Sequence, residues 1–543
     1  MNFPYCTFRR QSRMGNLHLR RRSPWGCILP GLWLAAWLWA GWEAGARGQS
    51  LVEIAFFDKE SGAPISARLE FVEPFQRFPR PLGALVVGRQ ILVEDTARLK
   101  IAPGKYEFMV RRGPEFLDVR SGFEAQRNAR NRYEVHVPRK SPMRRWGWYS
   151  GDLLGAASAE TTRRWMRADD LDLAATIDGV ASSVADKAAF PPGKGAPAAD
   201  QGDAANTPPR LDQVQGGSVY FPKPGQGGLL IHRLANAVPE EASPWGALAE
   251  AAKEEAAHVE LTKPWDRDVP LLLATQQLDS IQLLSGYLLP DSSLPIPPAA
   301  FQPDPLRFRG KKGLGRLAEF LYWQMLEAGF RLPPTAGSGF DGKTFTYLGY
   351  NRVYAFLPLT EVPTPDRWWQ QLRAGHTVVT NGPLLKATVN EQPPGSIFYG
   401  QGQEGIDLDM NLELTVRDPV EYLDVIFNGK AIYQAKLEEH ARRGRFPDLK
   451  IQRSGWLVLR VVTSYEDSYR LATTAPFYFE FDGKPRIAKE AVGLFQQWLT
   501  ASLTAIEQDV QLQADAEVAT AYRRAGDQAV QFWRDRAEMA QAE

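Results

Sequence analysis

From Ile406 to Val416 every second residue is apolar: Ile406, Leu408, Met410, Leu412, Leu414 and Val416 alternate with Asp407, Asp409, Asn411, Glu413 and Thr415. A period of two places all the apolar side chains on one face of an extended strand and does not suit a helix, whose faces repeat every 3.6 residues. The segment predicts one regular antiparallel strand with a core on one side and water on the other. The same period occurs earlier in the chain. Ile65, Ala67, Leu69 and Phe71 are separated by Ser66, Arg68 and Glu70, Tyr106, Phe108 and Val110 follow a Pro103-Gly104 turn, and Tyr133, Val135 and Val137 repeat the pattern. Short strands between turn signals predict a small β-sandwich over 50–140 and a second over 386–482. The second is supported by the Asn428-Gly429 turn pair and the apolar run Trp456 to Val462. His136 sits on the face opposite Val135 and Val137, so it is expected to be an exposed strand residue, not a ligand.

Between 144 and 385 the pattern alternates between short apolar runs and helical spacing. Leu171 to Ile177 and Leu278 to Leu284 are expected as buried strands, and Leu317 to Ala328 as a helix with Leu317, Phe320, Leu321 and Met325 on one side. An α/β barrel or a layered α/β domain fits that order. Two Pro-rich stretches, 190–209 and 290–305, are expected as surface loops. Over 486–543 the period is helical. Val492, Phe495, Leu499, Leu503, Ile506 and Val510 form one stripe that needs a partner, either a second helix carrying Val518, Tyr522 and Phe532 or another copy of the chain. The expected fold class is therefore multidomain α+β: an N-terminal β-sandwich, a central α/β barrel, a C-terminal β-sandwich and a helical tail. A length of 543 residues agrees, being too long for one ordinary core. The formal net charge of +1 gives no electrostatic reason to expect nucleic acid as a partner.

The first 46 residues differ in kind. Arg9, Arg10, Arg13, Arg20, Arg21 and Arg22 precede an uncharged apolar run from Trp25 to Trp42, and Ala44-Gly45-Ala46 offers a small-residue cleavage site. That order predicts a signal peptide cut after Ala46 and an exported protein, periplasmic or extracellular, with no membrane attachment after cleavage. Pro30, Gly31 and Gly41 interrupt the run and favour cleavage over an uncleaved anchor. Cys6 and Cys27, the only cysteines, both lie in this leader, so neither a disulfide framework nor thiolate chemistry is expected in the mature chain.

Gly147-Trp148-Tyr149-Ser150-Gly151-Asp152 resembles the entry motif of the CehA/McbA metallohydrolases, relatives of the PHP-type phosphoesterases. Further matches follow in order: Lys263-Pro264-Trp265 with Asp268-Val269-Pro270, Leu278-Asp279-Ser280-Ile281, and Arg331 to Ser338. Gly349-Tyr350-Asn351-Arg352-Val353-Tyr354, Leu372-Arg373-Ala374-Gly375 and Thr380-Asn381-Gly382-Pro383 complete the series, and Arg112-Gly113-Pro114-Glu115-Phe116 is similar to multidomain members. The resemblance implies a PHP-like barrel in which histidines and carboxylates at strand ends hold divalent metals that acidify a bound water. This chain departs from the pattern. Where the family reads Gly-Asp-x-His-x-His, Leu154 and Ala156 stand at the imidazole positions; Asp178 is followed by Gly179 in place of His, and Gly286-Tyr287 replaces Asn-His.

Of six histidines, His18 lies in the leader and His136 and His440 in the flanking regions. His376 occupies no ligand position and is expected at a surface or an interdomain contact. His232, His258 and Glu260 remain as the set for a rebuilt site with a divalent metal such as zinc or manganese, helped by Asp152 or Asp178. Both aspartates also suit a helix-capping role. Lys263, Asp268, Tyr287, Arg352 and Asn381, with Trp265 and Tyr350 as walls, are candidates for a polar ligand cleft. Alternatively, Arg352 pairs with a carboxylate and Asn381-Gly382-Pro383 forms a turn. Gly313-Leu314-Gly315 lacks the lysine and spacing of a phosphate cradle.

The leading expectation is an exported, non-catalytic binding or scaffolding protein, without a metal cofactor, for an unidentified small-molecule or protein ligand. The rival is an active ester or phosphoester hydrolase on the rebuilt site. A third reading gives the function to the sandwiches and tail through protein or glycan contacts.

Overall fold

The alternating amino-terminal segments form strands Ser50–Asp58 (β1), Ala67–Val72 (β2), Leu85–Val87 (β3), Gln90–Val93 (β4), Thr96–Ile101 (β5), Gly104–Arg111 (β6), Val119–Ala125 (β7) and Arg130–Val137 (β8). They make two sheets, ordered β5-β1-β8 and β3-β4-β2-β6-β7, which share one core of Val52, Ile54, Leu69, Phe71, Phe108 and Val135. His136 is exposed and stacks on Phe57. The computed structural model describes residues 49–72, 84–180, 208–222, 228–236, 238, 243–289, 308–342, 348–402 and 404–540. Residues 1–48, where a leader is expected, most of 190–209, all of 290–305 and the last three residues lie outside that set. Among the described residues the protein is a strand-rich α+β structure with several sheets, and no helix is long and apolar enough to cross a membrane.

The next elements are Trp148–Gly155 (β9), Ala159–Ala168 (α1), Leu173–Val180 (β10), Gln213–Phe221 (β11), Leu229–His232 (β12), Pro244–Ala251 (α2), His258–Leu261 (β13), Val269–Ala274 (α3), Ser280–Leu284 (β14), Gly313–Glu327 (α4) and Pro334–Ala336 (β15). These strands lie side by side in chain order, all parallel except β12, which runs against both neighbours. The row closes on itself. The Gly339 and Phe340 N–H groups donate to Leu154 O at 2.8 and 3.1 Å, and Gly155 bridges Phe340 in parallel sense, so the chain after β15 reaches back to β9. Helices cover the outside where their apolar spacing demands it. Ser158 caps α1 by accepting from Thr161 N, and Thr162, Trp165, Met166 and Ala168 are its buried residues, Trp165 lying against Phe340. Leu317, Leu321 and Met325 of α4 are buried as their spacing predicts.

Arg352–Phe356 (β16) and Thr377–Thr380 (β17), with Pro365–Arg373 (α5) between them in the chain, extend the sheet past β9, and the sheet runs on across the expected boundary at 385. The strands that follow are Leu384–Val389 (β18), Ile397–Gly400 (β19), Ile406–Leu408 (β20), Met410–Thr415 (β21), Val420–Phe427 (β22), Lys430–Ala435 (β23), Leu449–Ile451 (β24), Gly455–Thr463 (β25), Leu471–Thr474 (β26) and Phe477–Phe481 (β27). β17 pairs with β26 through Val378↔Thr474, Val379↔Thr473 and Thr380↔Ala472, so the sheet continues through β26-β25-β22-β23. Asn428 and Gly429, at φ 49° and 72°, make the tight turn between β22 and β23 that their identities predict.

The single strand expected over 406–416 is instead two strands in two sheets, β20 pairing with β24 and β21 with β18. Asn390 causes the break. Its side-chain oxygen accepts from Asp409 N and its own N–H donates to Asp409 O, both at 2.7 Å, so the backbone of Asp409 pairs with a turn residue and the two halves diverge.

The tail forms Lys489–Gln508 (α7), Val510–Gln513 (α8) and Ala516–Met539 (α9), preceded in the chain by the short helix Leu437–Arg443 (α6). Val492, Phe495, Leu499 and Ile506 pack into the central core with Tyr522 and Trp533 of α9, so the stripe finds its partner within the chain. Val510 is the exception, 82% exposed, because Asp509 ends α7 and caps α8 before the stripe reaches it.

Candidate functional site

Within the closed row of strands, polar residues occupy alternate positions of otherwise apolar segments. Register pairs His232 with His258, Leu230 with Glu260, Glu260 with Ser280 and Gln282 with Thr335, which places these side chains on one face. Ile231, Val259, Leu261 and Ile281 take the other face and pack into the core with α2, α3 and α4. Thr335 on β15 donates to Glu260 Oε1 on β13, two strands away, a reach that the concave face allows, so the polar face points inward.

Glu260 is the centre of this network. Oε1 accepts from Ser280 Oγ at 3.3 Å as well as from Thr335, and Oε2 accepts from Gln282 Nε2 at 3.0 Å and from His232 Nε2 at 3.3 Å. An ionised carboxylate only accepts, and this decides the tautomers. His232 carries its proton on Nε2, and its Nδ1 accepts from Ser218 Oγ at 2.9 Å. Ser280 gives its proton to Glu260, so its oxygen receives Nε2–H of His258 at 2.8 Å. Nδ1 of His258 is left without a hydrogen-bond partner, 3.9 Å from Asp279 Oδ2. Burial holds His258 well below the usual histidine range, with His232 adding to the effect, and burial raises Glu260 against the pull of its donors.

Two tryptophans of α5 seal one end of this interior. Trp369 lies 5.3 and 5.1 Å from the His232 and His258 ring centres. Trp368 donates Nε1–H to Tyr149 O at 2.9 Å and lies so close to Gly151 that a Cβ there would sit 2.4 Å from the indole. Thr364 caps α5 by accepting from Arg367 N, and Pro365 begins it. Ser218, His232 and Glu260 run in the order hydroxyl, imidazole, carboxylate, but they are 1%, 0% and 0% exposed. A nucleophilic relay needs room for a substrate carbonyl beside the hydroxyl, and these exposures leave none.

Asp152 is also fully buried. It accepts from the N–H groups of Ser338 at 2.9 Å, Gly349 at 2.7 Å and Leu154 at 3.3 Å, and thus ties two later loops to the end of β9. Burial outweighs those donors and pushes its carboxyl up to about 6. Asp178 lies on β10, and its side chain falls outside the described residues.

Each residue expected to line a ligand cleft is hydrogen-bonded to a different neighbour. Lys263 donates to Pro222 O. Asp268 accepts from Tyr522 OH at 2.7 Å and Arg267 Nε at 2.8 Å, which pins the tail to α3, and burial lifts its carboxyl to about 6. Tyr287 donates to Leu283 O and packs edge-on against Trp265. Arg352 pairs with Asp169 Oδ2 at 2.6 Å, and Asn381 bonds Tyr469 O and Leu471 N where the chain meets β26. His376 donates to Pro394 O at 2.7 Å. Tyr350 OH accepts from Arg470 Nε at 3.2 Å.

The divalent metal implied by the resemblance can be tested on the donors present. Leu154 and Ala156 offer no lone pair, Glu260 is ringed by protein donors, and His258 turns Nε2 to Ser280. Among the described residues no three His, Cys, Asp or Glu side chains are grouped as a metal ion requires, although His232, His258 and Glu260 share one face. The donor set does not fit such an ion.

Sequence reasoning missed Ser218, Ser280, Gln282, Thr335 and Trp369. The available signal was polar residues at every second place of buried strands, as in Ser280-Ile281-Gln282-Leu283. It also missed a second buried group, in which Asp170 meets Arg144 at 3.1 Å, Arg112 at 3.1 Å and Arg139 at 3.2 Å, joining the amino-terminal sheets to the central strands. No family model matches the chain, and no curated protein matches it either.

Proposed function

We propose that this chain is an exported CehA/McbA-like protein, a PHP-like barrel between two β-sandwiches with a helical tail, that binds or scaffolds and does not hydrolyse. One observation carries the proposal: the interior carboxylate Glu260 already has four protein donors, while Leu154 and Ala156 stand where the family has imidazoles. A water cannot be made nucleophilic near neutrality without a group to acidify or deprotonate it. The interior polar groups act here as a hydrogen-bonded crosslink between strands.

The test is metal analysis of the chain lacking 1–46 after dialysis against zinc and manganese, beside hydrolysis of an aryl ester and a phosphodiester. The expected result is substoichiometric metal and no turnover that a chelator abolishes; stoichiometric metal with chelator-sensitive turnover would overturn the proposal. The rival, a rebuilt hydrolase site, is favoured by one observation, the 3.3 Å approach of His232 Nε2 to Glu260. It requires that His232→Ala abolish both metal and turnover. Export predicts that protein recovered from the periplasm or medium begins near Arg47.

A further inference from the structure

A cavity of about 250 Å³ opens between the turn Met143–Trp146 and the β18–β21 ribbon, lined by Ser141, Met143, Trp146, Leu384, Lys386, Glu413, Leu414 and Thr415. Register puts Leu384 opposite Thr415 and Lys386 opposite Glu413, so these four share one face of the ribbon. Lys386 Nζ lies 2.8 Å from Glu413 Oε1 and 4.8 Å from the centre of the half-buried Trp146 ring. The Ser141 and Thr415 hydroxyls and the Trp146 indole N–H make no hydrogen bond among the described residues.

We propose that this cavity is a binding subsite for a neutral hexopyranose ring, independent of the barrel. The choice of ligand follows from the ion pair. An anion in this cavity would face the Glu413 carboxylate and a cation the Lys386 ammonium, whereas neutral sugar hydroxyls can use what the pair leaves free, two ammonium protons and the remaining carboxylate lone pairs, without meeting a like charge. Donor and acceptor stand side by side, as adjacent ring hydroxyls require, with free hydroxyls and an indole N–H around them. The half-buried Trp146 ring, with Met143 and Leu384 in the lining, offers apolar surface to the C–H face of the sugar. The volume is below that of drug-sized pockets, which begin at about 300 Å³, and suits one ring better than a chain.

The test is saturation-transfer NMR on the chain lacking 1–46 with glucose, galactose and N-acetylglucosamine, each titrated to about 20 mM, a range that detects millimolar affinity. At least one sugar is expected to saturate and to weaken tenfold or more in both Trp146→Ala and Glu413→Gln. Trp146→Phe, which keeps a ring, is expected to fall less than Trp146→Ala, and Tyr399→Ala, at a remote residue 70% exposed, is expected to bind as wild type. Thermal melting of each variant separates lost binding from lost folding, and Glu413→Gln, at an exposed side chain, keeps the test valid if Trp146→Ala unfolds. The proposal is overturned if no sugar saturates, if both variants bind as wild type, or if leucine as a zwitterion displaces the sugar and binds more tightly.

Discussion

Replacing Asp170 by Asn removes one negative charge from the junction between the amino-terminal sheets and the central strands and leaves the backbone intact. Asp170 has φ 54°, a left-handed conformation that Asn also tolerates, so the substitution tests charge and not turn geometry. Its carboxylate is 1% exposed and faces Arg144, Arg112, Arg139 and, at 3.6 Å, Arg210. Burial alone would raise its pKa, but those four guanidinium groups outweigh burial and hold it well below the usual carboxylate range. Removing one partner of a buried ion pair costs about 3–5 kcal/mol, because the other charges stay desolvated. Urea unfolding at pH 7 is expected to show that loss as a lower midpoint with an unchanged slope. A folded pKa below the unfolded one gives stability that is present above the unfolded value, about 3.9, and lost as pH falls through the folded value, so the gap between wild type and variant should narrow below about pH 4. Adding Arg112→Met should recover part of the loss, since it removes one of the stranded cations. A loss under about 1 kcal/mol at pH 7, the range of exposed pairs, would refute the reasoning.

Asp152 titrates in the opposite sense. Its folded pKa of about 6 is above the ordinary 3.8, so its contribution is full below 3.8 and lost as pH rises through 6. Wild type should gain on Asp152→Asn by about 2 kcal/mol between pH 7.5 and pH 4, measured by paired urea melts. Gly151→Ala should lower stability by about 1–3 kcal/mol or more, as its Cβ drives into Trp368, and a near-ultraviolet circular dichroism change should report the displaced indole. Asn428→Ala loses the φ 49° preference and the acceptor that Trp456 N–H uses at 2.9 Å, and should cost about 1–3 kcal/mol in thermal or urea unfolding.

Local pattern was a good guide where one face of an element meets water. The strands around Leu69, Phe108 and Val135, the Asn428-Gly429 turn and the α7 stripe all follow from spacing, because exposed and buried positions differ in hydropathy there. It failed where a side chain from a distant turn competes with the strand, as Asn390 does at Asp409, since no periodicity encodes a partner 19 residues away. The interior of the central strands was illegible for a related reason. Both faces are buried, so Ser280 and Gln282 read as isolated polar residues until register brings Glu260 beside them. The candidate residues Asp152, Asp268 and Arg352 were recognisable as unusual, but their partners, Gly349 N, Tyr522 OH and Asp169, come from segments that sequence alone does not bring together.

The β17–β26 pairing limits how the molecule can be cut. A fragment ending at Leu385, the natural choice if the central part were a portable module, would expose the backbone donors and acceptors of β17 that Ala472, Thr473 and Thr474 now cover. Such a naked edge recruits strands from neighbouring chains, so the excised piece should precipitate or swap, and grafting experiments must carry the chain through Thr474 at least.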